Sequence, residues 1–374
     1  MSDGHLVIAS GGTGGHFYPT LAVAREFLKE RPNGKVTLLV SGKHAEEQTK
    51  IAADFGIEAI EIPSVRLPGA SLGALAFPFK MLSCVMSAKK VLKRLDADVL
   101  LGMGSFAAVP ACWAVNTKKT PLVLHEGNSF MGLTNRFFIR KASAVGLSLP
   151  LADMGQVRGR RSEQVGMPLR EAIVEAAAGS CEKSADYLPS LGLSNEKKTV
   201  LVFGGSQGAR AINELFAKTA SLLGDVKDKI QFMHLTGSDD NTALESAYKE
   251  AGVAASIRRA DSSIEKCYIA ADLVVCRSGA SSICELALFG KPLVLIPLPT
   301  AADDHQSVNA KVVESAGAAR HFPQKDATPE KMAALLKEFL DNETEWKNMG
   351  EKMRQFGKPN AAANLVHLIL SVMK

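Results

Sequence analysis

Two glycine-rich stretches carry the residue types that hold an anion. Gly11-Gly12-Thr13-Gly14-Gly15-His16 follows the apolar run Leu6 to Ala9, and Gly204-Gly205-Ser206-Gln207-Gly208 follows Val200 to Phe203. A buried strand that runs into a glycine turn and then a helix leaves backbone N–H groups and the positive helix end facing a docked phosphate. One such loop is equally a tight turn without a ligand; its recurrence about one domain apart suggests a twinned architecture. A third stretch, Cys276-Arg277-Ser278-Gly279-Ala280-Ser281-Ser282-Ile283-Cys284-Glu285, follows the strand-like Leu273 to Val275. Gly279 permits a sharp turn, and Ser281 and Ser282 are placed to cap the next helix while its amides face a diphosphate. Glu285, about one turn into that helix, has two readings: an acceptor for two vicinal ribose hydroxyls, or a charge that stabilises the helix dipole. Asp303-Asp304-His305-Gln306, beyond Pro297-Leu298-Pro299, is a polar cluster past a strand's C-terminal end, where ligands dock in open α/β sheets.

Other chemistries are disfavoured. A G-x-G-x-x-G frame from Gly12 puts Phe17 at the third glycine, and from Gly205 it puts Gln207 at the second, so neither loop is a dinucleotide fingerprint. No G-x-x-x-x-G-K-[ST] loop is present for P-loop nucleotide hydrolysis. Asp96-Ala97-Asp98 has a spacing that some sugar transferases use for a divalent ion. It precedes a strand, at the end opposite the usual ligand site, and reads as a helix-to-strand turn, so no metal is implied. Cys84, Cys112, Cys181, Cys267, Cys276 and Cys284 show no metal spacing and read as reduced core thiols of a cytosolic protein. The start lacks the basic and long apolar stretches of a signal peptide, so export is not expected.

These residues need elements to position them. At 374 residues, 46% hydrophobic and 22% charged, the chain is an ordinary folded protein of about two domains. Short β-rich runs at Leu6–Ala9, Val36–Val40, Ile57–Ile62, Val99–Leu101 and Leu122–Leu124 alternate with helical patterns, which calls for a parallel sheet covered on both faces. Pro19 marks the first turn of a helix from about Tyr18. Asp153 to Ser194 breaks the alternation and reads as a basic, glycine-containing linker plus an excursion. From Val200 the plan repeats.

Residues 1–170 hold 21 Lys+Arg against 13 Asp+Glu, and 171–374 hold 23 against 26, so the basic surplus is N-terminal and implies an anionic partner there. Phosphate, acidic lipid and nucleic acid all qualify on charge alone. Leu67 to Phe79, the longest apolar candidate, contains two prolines and two glycines and falls short of the roughly 18 residues a bilayer span needs. Leu67 to Leu95 mixes Leu72, Leu75, Phe77, Phe79, Leu82, Val85 and Met86 with Lys80, Lys89, Lys90, Lys93 and Arg94. It either lies on an anionic leaflet or forms an amphipathic helix over its own sheet with a solvated basic face.

Taken together, GGTGGHFYPTLAVA, GMGSFAAVPACWA, LHEGNSFMGLTNR, VGMPLR, LVFGGSQGARAIN and CRSGASSICELALFGKPLVLIPLP, followed by HQSVNA, resemble in order and spacing the MurG family. These are the glycosyltransferases that add N-acetylglucosamine to lipid I in peptidoglycan synthesis. The likeness runs from Leu6 to about Ala318; Asp153 to Gly166 and Glu171 to Ser194 stand outside the shared pattern. It implies an α/β GT-B fold, two Rossmann-like domains with parallel sheets facing across a cleft. Residues 1–165 would receive the lipid-linked acceptor and face the membrane, with a helix at about 358–374 packing back on them. Residues 166–357 would hold UDP-N-acetylglucosamine.

By motif, the resemblance assigns Glu285 to the ribose, Ser206, Ala280, Ser281, Ser282 and Arg170 to the donor diphosphate, and Asn128, His305 and Gln306 to the donor sugar. Thr13, Gly14 and Gly15 would face the donor from the opposite domain, and Gly102, Gly104, Ser105, Phe106 and His125 would form the acceptor side. The chain departs from the family pattern at several places. GMGGY is written with Ser105 and Phe106, which removes a phenol and restricts the backbone; the Leu-Thr after CRSGA is Ser281-Ser282. His-Gln-x-Gly is His234-Leu235-Thr236-Gly237, and the paired glutamines are His305-Gln306.

Inverting transfer needs a base for the acceptor's 4-hydroxyl, a clear path to the anomeric carbon and stabilisation of the departing UDP. His16 carries the side-chain type whose ordinary pKa lies near neutrality and is the first candidate for base or acceptor positioning, against a plain capping role. Glu126 is the second, against a role in orienting His125. The patch Leu75, Phe77, Phe79, Lys80, Leu82, Lys89 and Lys90 suits peripheral attachment at the cytoplasmic membrane face, because the acceptor's polyprenyl tail stays in the bilayer. The resemblance implies UDP-N-acetylglucosamine, lipid I, an anionic membrane surface and other cell-wall synthesis or division proteins as partners, with no nucleic acid and no cofactor. Rival readings are another GT-B enzyme, such as a glycolipid synthase or a UDP-N-acetylglucosamine 2-epimerase, and a non-catalytic nucleotide-sugar-binding protein.

Overall fold

Short apolar strands alternating with helices bury both faces of a sheet when the strands run parallel and every crossover packs back on it. The computed structural model, which describes residues 4–11, 14–65, 76–179, 185–205 and 208–373, is built this way twice. Thr13, Leu75 and Ser206, with Leu67, Leu72 and Cys181, lie outside the described residues. The chain divides into two compact units, 1–170 with 358–374, and 171–357.

The first unit runs β1 (His5–Ala9), α1 (Gly14–Glu30), β2 (Lys35–Val40), α2 (Ala45–Asp54), β3 (Glu58–Glu61), α3 (Phe77–Leu95), β4 (Val99–Gly102), α4 (Val109–Ala114), β5 (Leu122–Glu126), α5 (Leu133–Phe138), β6 (Ala144–Leu147) and β7 (Arg161–Gln164). Its strands form one parallel sheet in the order β3-β2-β1-β4-β5-β6-β7. One core cluster joins Leu6 and Ile8 to α1 and α2, and another joins Leu100, Leu122 and Leu124 to α3, α4 and α5.

The second unit runs α6 (Glu171–Ala178), α7 (Tyr187–Ser190), β8 (Lys198–Phe203), α8 (Arg210–Ala220), β9 (Ile230–Leu235), α9 (Thr242–Glu250), β10 (Ala255–Arg258), α10 (Ile264–Ala270), β11 (Leu273–Cys276), α11 (Ala280–Phe289), β12 (Leu293–Leu295), α12 (His305–Ser315), β13 (Ala319–His321), α13 (Pro329–Asp341) and α14 (Glu343–Met353). Its sheet order is β10-β9-β8-β11-β12-β13. The chain then returns to the first unit with α15 (Ala361–Leu370), which buries Leu365, Val366, Leu368 and Ile369 in the core beside α1. Asn364 Nδ2 donates to Val165 O at 3.1 Å beside this contact.

Two segments differ from their reading in sequence. Helix α1 starts at Gly14 rather than Tyr18, which leaves Pro19 inside it; two glycines, poor helix formers, hid the start. The basic stretch read as linker ends in β7, whose residues pair Ala144↔Arg161 through Leu147↔Gln164. It is a charged edge strand, blunt to further pairing and without the apolar run that reveals a central strand. The excursion after it is anchored within the second unit, where α6 and α7 pack on α10. Tyr187 Oη donates to Asp261 Oδ2 at 3.2 Å and lies 3.0 Å from Cys267 Sγ, while Arg258 pairs with Asp261. Burial pushes the Cys267 thiol up to about 11.

Candidate active site

In each sheet the strand order reverses beside the first strand, at β1/β4 and at β8/β11, and a crevice forms there at the carboxyl ends. Phe203 and Cys276 are paired neighbours, so the second glycine loop and Arg277-Ser278-Gly279 leave the sheet side by side. The first helical hydrogen bond of α11 runs from Ile283 N to Gly279 O at 3.0 Å, which leaves the amides of Ala280, Ser281 and Ser282 without an acceptor in the helix. Gly279 is the N-cap, and among the described residues no side chain caps this end. Ser281 and Ser282 therefore do not cap; they sit half-buried in the first turn. Glu285 lies past that turn, where the dipole effect has faded. Its Oε2 instead accepts a hydrogen bond from Tyr268 Oη at 2.7 Å.

Arg277 was missed from sequence. It is only 7% exposed, and Nη1 donates to Ile296 O and Pro297 O at 3.1 and 2.9 Å while Nη2 donates to Gln324 Oε1 at 2.7 Å. Burial lowers its pKa. A cation wedged between a buried strand and a glycine turn cannot reach open solvent, and that position was the available signal. Ser278 Oγ donates to Gln306 O at 2.8 Å, and Asn309 Nδ2 donates to Ser278 O at 3.0 Å. Gln306 Oε1 accepts Leu298 N at 3.0 Å, which turns the amide NH2 away from that bond. His305 opens α12 after two left-handed aspartates, Asp303 and Asp304, and its Nδ1 donates to Ala302 O at 2.6 Å. The diphosphate and sugar candidates of this unit are thus tied into one frame.

Behind the glycine loop lies the buried His234. Its Nδ1 is 3.3 Å from Tyr248 Oη and its Nε2 is 3.1 Å from Asn213 Oδ1, while Asn213 Nδ2 donates to Thr236 O at 3.1 Å. Gly208 (φ +71°) approaches that same carbonyl so closely that a Cβ would collide with it. The relay needs a neutral imidazole protonated on Nε2, and burial holds the His234 pKa down at about 3. An unfolded histidine titrates near 6.5, so the native state refuses a proton that the unfolded state takes up. Full stability is present above about pH 6.5 and is lost below it by about 1.4 kcal/mol per pH unit, from this group alone. His234→Gln keeps an acceptor for Tyr248 and a donor for Asn213 but cannot titrate. Urea unfolding is expected to show near wild-type stability at pH 7.5 and a shallower loss between pH 6.5 and 5; identical slopes would refute this account.

In the first unit Ala9 pairs with Gly102 and Met103 N donates to Ala9 O at 3.1 Å, so the two loops leave the sheet together. The backbone places Gly14, Gly15 and His16 as the first three residues of α1. Gly104 needs its left-handed φ of +77°, because a Cβ would press on Asn135 Nδ2 at 3.0 Å and His125 O at 3.1 Å. Ser105 does not restrict the loop as expected: it adopts ordinary extended geometry, φ −73° and ψ 153°. Its buried Oγ has no hydrogen-bond partner among the described residues, and Phe106 packs against the core with α3 and α4. Arg170 stacks over the Tyr18 ring, 5.7 Å from its centroid.

Glu126 ends β5 and is 3% exposed. Oε1 accepts Asn128 N at 3.0 Å and Nδ2 at 3.3 Å, and Oε2 accepts Gly132 N at 2.8 Å and Asn135 Nδ2 at 2.9 Å. Burial raises its pKa against the pull of these donors. All four of these partners are donors, so both oxygens act as acceptors in this arrangement. Both oxygens are committed to the loop 126–135, so the geometry gives Glu126 the work of a clamp, not of a base. Nor does it orient the His125 ring, which points to the other face of the strand with Nε2 2.8 Å from Ser148 Oγ. Asp96 is the left-handed cap of α3, and Asp98 Oδ2 accepts His5 N at 2.7 Å, so Asp98 ties the starts of the central strands β1 and β4, at the end opposite the sheet's carboxyl ends.

Helix α3 is amphipathic and covers its own unit's core, with an apolar and basic face left exposed. Met81, Cys84 and Ala88 are buried and Phe77 packs on the core, while Phe79, Leu82 and Met86 are exposed beside Lys80, Lys89 and Lys90. The same layer exposes Trp113 on α4 and Leu133 and Phe137 on α5, with Trp113 and Phe137 rings 5.3 Å apart. Exposed apolar side chains thus occur on three helices that neighbour one another, α3 beside α4 and α4 beside α5. Among the described residues no helix is long and apolar enough to cross a membrane.

Two parallel sheets with the same switch-point order, each opening on a glycine loop, define a GT-B glycosyltransferase architecture. Residues 6–147 match the glycosyltransferase family 28 N-terminal domain and residues 199–365 its C-terminal domain. The UDP-N-acetylglucosamine--N-acetylmuramyl-(pentapeptide) pyrophosphoryl-undecaprenol N-acetylglucosamine transferase of Nitratidesulfovibrio vulgaris is 37% identical over 369 residues, 96% of this chain and 95% of that protein. The crystal structure of Acinetobacter baumannii MurG superposes with a TM-score of 0.78 at 29% identity, covering 99% of this chain and 100% of that one. The chain belongs to the MurG family within glycosyltransferase family 28. A UDP-GlcNAc 2-epimerase from Neisseria meningitidis superposes with a TM-score of 0.68 at 13% identity, covering 98% and 99% of the two chains, a likeness of fold alone.

Proposed function

We propose that the protein transfers N-acetylglucosamine from UDP-N-acetylglucosamine, with inversion, to the 4-hydroxyl of the N-acetylmuramyl sugar of lipid I, forming lipid II and UDP. The likeness, over 96% of this chain, to the Nitratidesulfovibrio vulgaris enzyme, whose name states this donor and this acceptor, carries the reading. The site chemistry supports it. In the second unit the open amides of α11 suit the donor diphosphate, Glu285 suits the ribose, and His305 and Gln306 suit the sugar. In the first unit His16 takes the proton of the acceptor hydroxyl as its oxygen attacks the anomeric carbon. The bond from that carbon to the diphosphate oxygen breaks, and its electron pair leaves with UDP. Helix N-terminal amides offset the charge that builds there, so this reading requires no metal.

The decisive experiment incubates the protein with labelled UDP-N-acetylglucosamine and a lipid I analogue. A labelled lipid-linked disaccharide and stoichiometric UDP are expected; UDP binding without disaccharide would overturn the reading and favour an epimerase or a silent binder. The exposed layer of α3, α4 and α5 suits peripheral attachment to the cytoplasmic membrane face, basic side chains meeting anionic headgroups and aromatic ones entering the interface. Lys89→Ala with Lys90→Ala is expected to weaken sedimentation with phosphatidylglycerol vesicles about tenfold at low salt. Trp113→Ser should weaken it without changing charge, and unchanged vesicle binding in both would remove the surface from the proposal.

A further inference from the structure

We propose that Arg277 is a positioning residue that aims the side-chain amide of Gln306 through a single peptide unit, an inference that rests on reading Gln306 as a ligand of the donor sugar. The carbonyl of Pro297 and the N–H of Leu298 belong to one planar peptide and point to opposite sides of it. Arg277 Nη1 donates to Pro297 O at 2.9 Å, and on the far side Leu298 N donates to Gln306 Oε1 at 3.0 Å. The guanidinium therefore sets the tilt of a rigid plane whose other edge holds the glutamine. A backbone N–H can meet only the oxygen of a carboxamide, so the second bond also settles which end of Gln306 is which. The NH2 is turned away from the peptide, as a donor for a sugar hydroxyl. A cation on the carbonyl polarises the peptide and strengthens the N–H bond beyond it.

The chain between these two bonds needs such a fixed point. Leu298, Pro299, Thr300 and Ala302 to Asp304 are exposed, and Asp303 and Asp304 both adopt a left-handed φ of 52°. That conformation strains a residue with a Cβ and persists where the surroundings over-determine it. Arg277 is 7% exposed; Nη1 also donates to Ile296 O at 3.1 Å, and Nη2 donates to Gln324 Oε1 at 2.7 Å. A planar fork with five donors meets these three acceptors as one rigid unit, which a lysine ammonium cannot do. The next residue completes the hold, since Ser278 Oγ donates to Gln306 O at 2.8 Å. Neighbours in the β11–α11 turn thus fix the side chain and the backbone of one glutamine.

The test uses the full-length protein and compares UDP-N-acetylglucosamine with UDP, which has no sugar to meet Gln306. Arg277→Lys keeps the charge and loses the planar fork. It is expected to raise KM for UDP-N-acetylglucosamine about tenfold, the worth of one good hydrogen bond, with the inhibition constant of UDP within about twofold of wild type. Gln324→Leu removes one anchor of the guanidinium and should give the same sugar-dependent rise on a smaller scale, about threefold, which reads the proposal even if Arg277→Lys fails to fold. Gln306→Ala removes the end of the relay and should raise KM about tenfold by itself; adding Arg277→Lys should then cost less than about twofold more. Equal penalties for UDP and the sugar donor, or penalties that multiply in the double variant, overturn the proposal, because an arginine that serves only the fold cannot sense the sugar or Gln306. If Gln306→Ala leaves KM unchanged, the sugar reading fails and the proposal falls with it. If Gln306→Ala raises KM while Arg277→Lys and Gln324→Leu do not, the proposal alone falls.

Discussion

His16→Ala is expected to lower kcat about 10²–10⁴-fold, the usual worth of a positioned general base, with KM for UDP-N-acetylglucosamine within about threefold of wild type. The expectation follows from where the chain puts this residue. His16 is the third residue of α1, directly after the first glycine loop and at the reversal of strand order in the first unit. Most of the donor contacts proposed above lie on α11 and α12 of the second unit, so donor affinity should largely survive. The other candidate base in this unit cannot take over, since both oxygens of Glu126 are engaged by its own loop. A pH profile of kcat/KM supplies the second readout: the acid limb of the wild type should disappear in the variant. A capping residue would behave differently, lowering thermal stability with kcat changed less than threefold, and that outcome would send the search for the base elsewhere.

How far the sequence discloses this site depends on whether a residue's job is local. The central strands β1, β8 and β11 are short apolar runs followed by glycine, and the loops they lead into are legible for the same reason: strand, turn and helix start are contiguous. Of the edge strands, β3 is legible within Ile57–Ile62, but β7, β10 and β13 are not. β7 alternates charge, and β10 and β13 are half-buried, so each lacks the apolar signature that comes from burial on two faces. Side-chain jobs that span elements are hidden altogether. Arg277 is joined to Gln324 and Tyr268 to Glu285 only by tertiary folding, and Trp113 meets Phe137 only because α4 and α5 lie side by side on one face. Ser281 and Ser282 mislead for a related reason: serine favours an N-cap, but Gly279 already ends the turn and the helix begins one residue before them.

Glu126 shows how a carboxylate beside a histidine can look catalytic in sequence and be structural in space, and its substitution separates the two roles. Glu126→Ala is expected to cost about 3 kcal/mol or more in urea unfolding, because two backbone and two side-chain donors lose their acceptor in a site that excludes water. The loop 126–135 should also lose hydrogen-exchange protection, and the release of Asn128 should raise KM for the donor sugar. Glu126→Gln is the sharper test. A carboxamide presents an NH2 where one oxygen was, and that NH2 must face either the Asn128 pair or the Gly132 and Asn135 donors. Donor opposes donor in both orientations, so the glutamine variant should be destabilised nearly as much as the alanine variant and should keep the wild-type acid limb in its pH–rate profile. A general base predicts the reverse, a variant as stable as the wild type with kcat lost and the acid limb abolished. That result would return the proton transfer to Glu126.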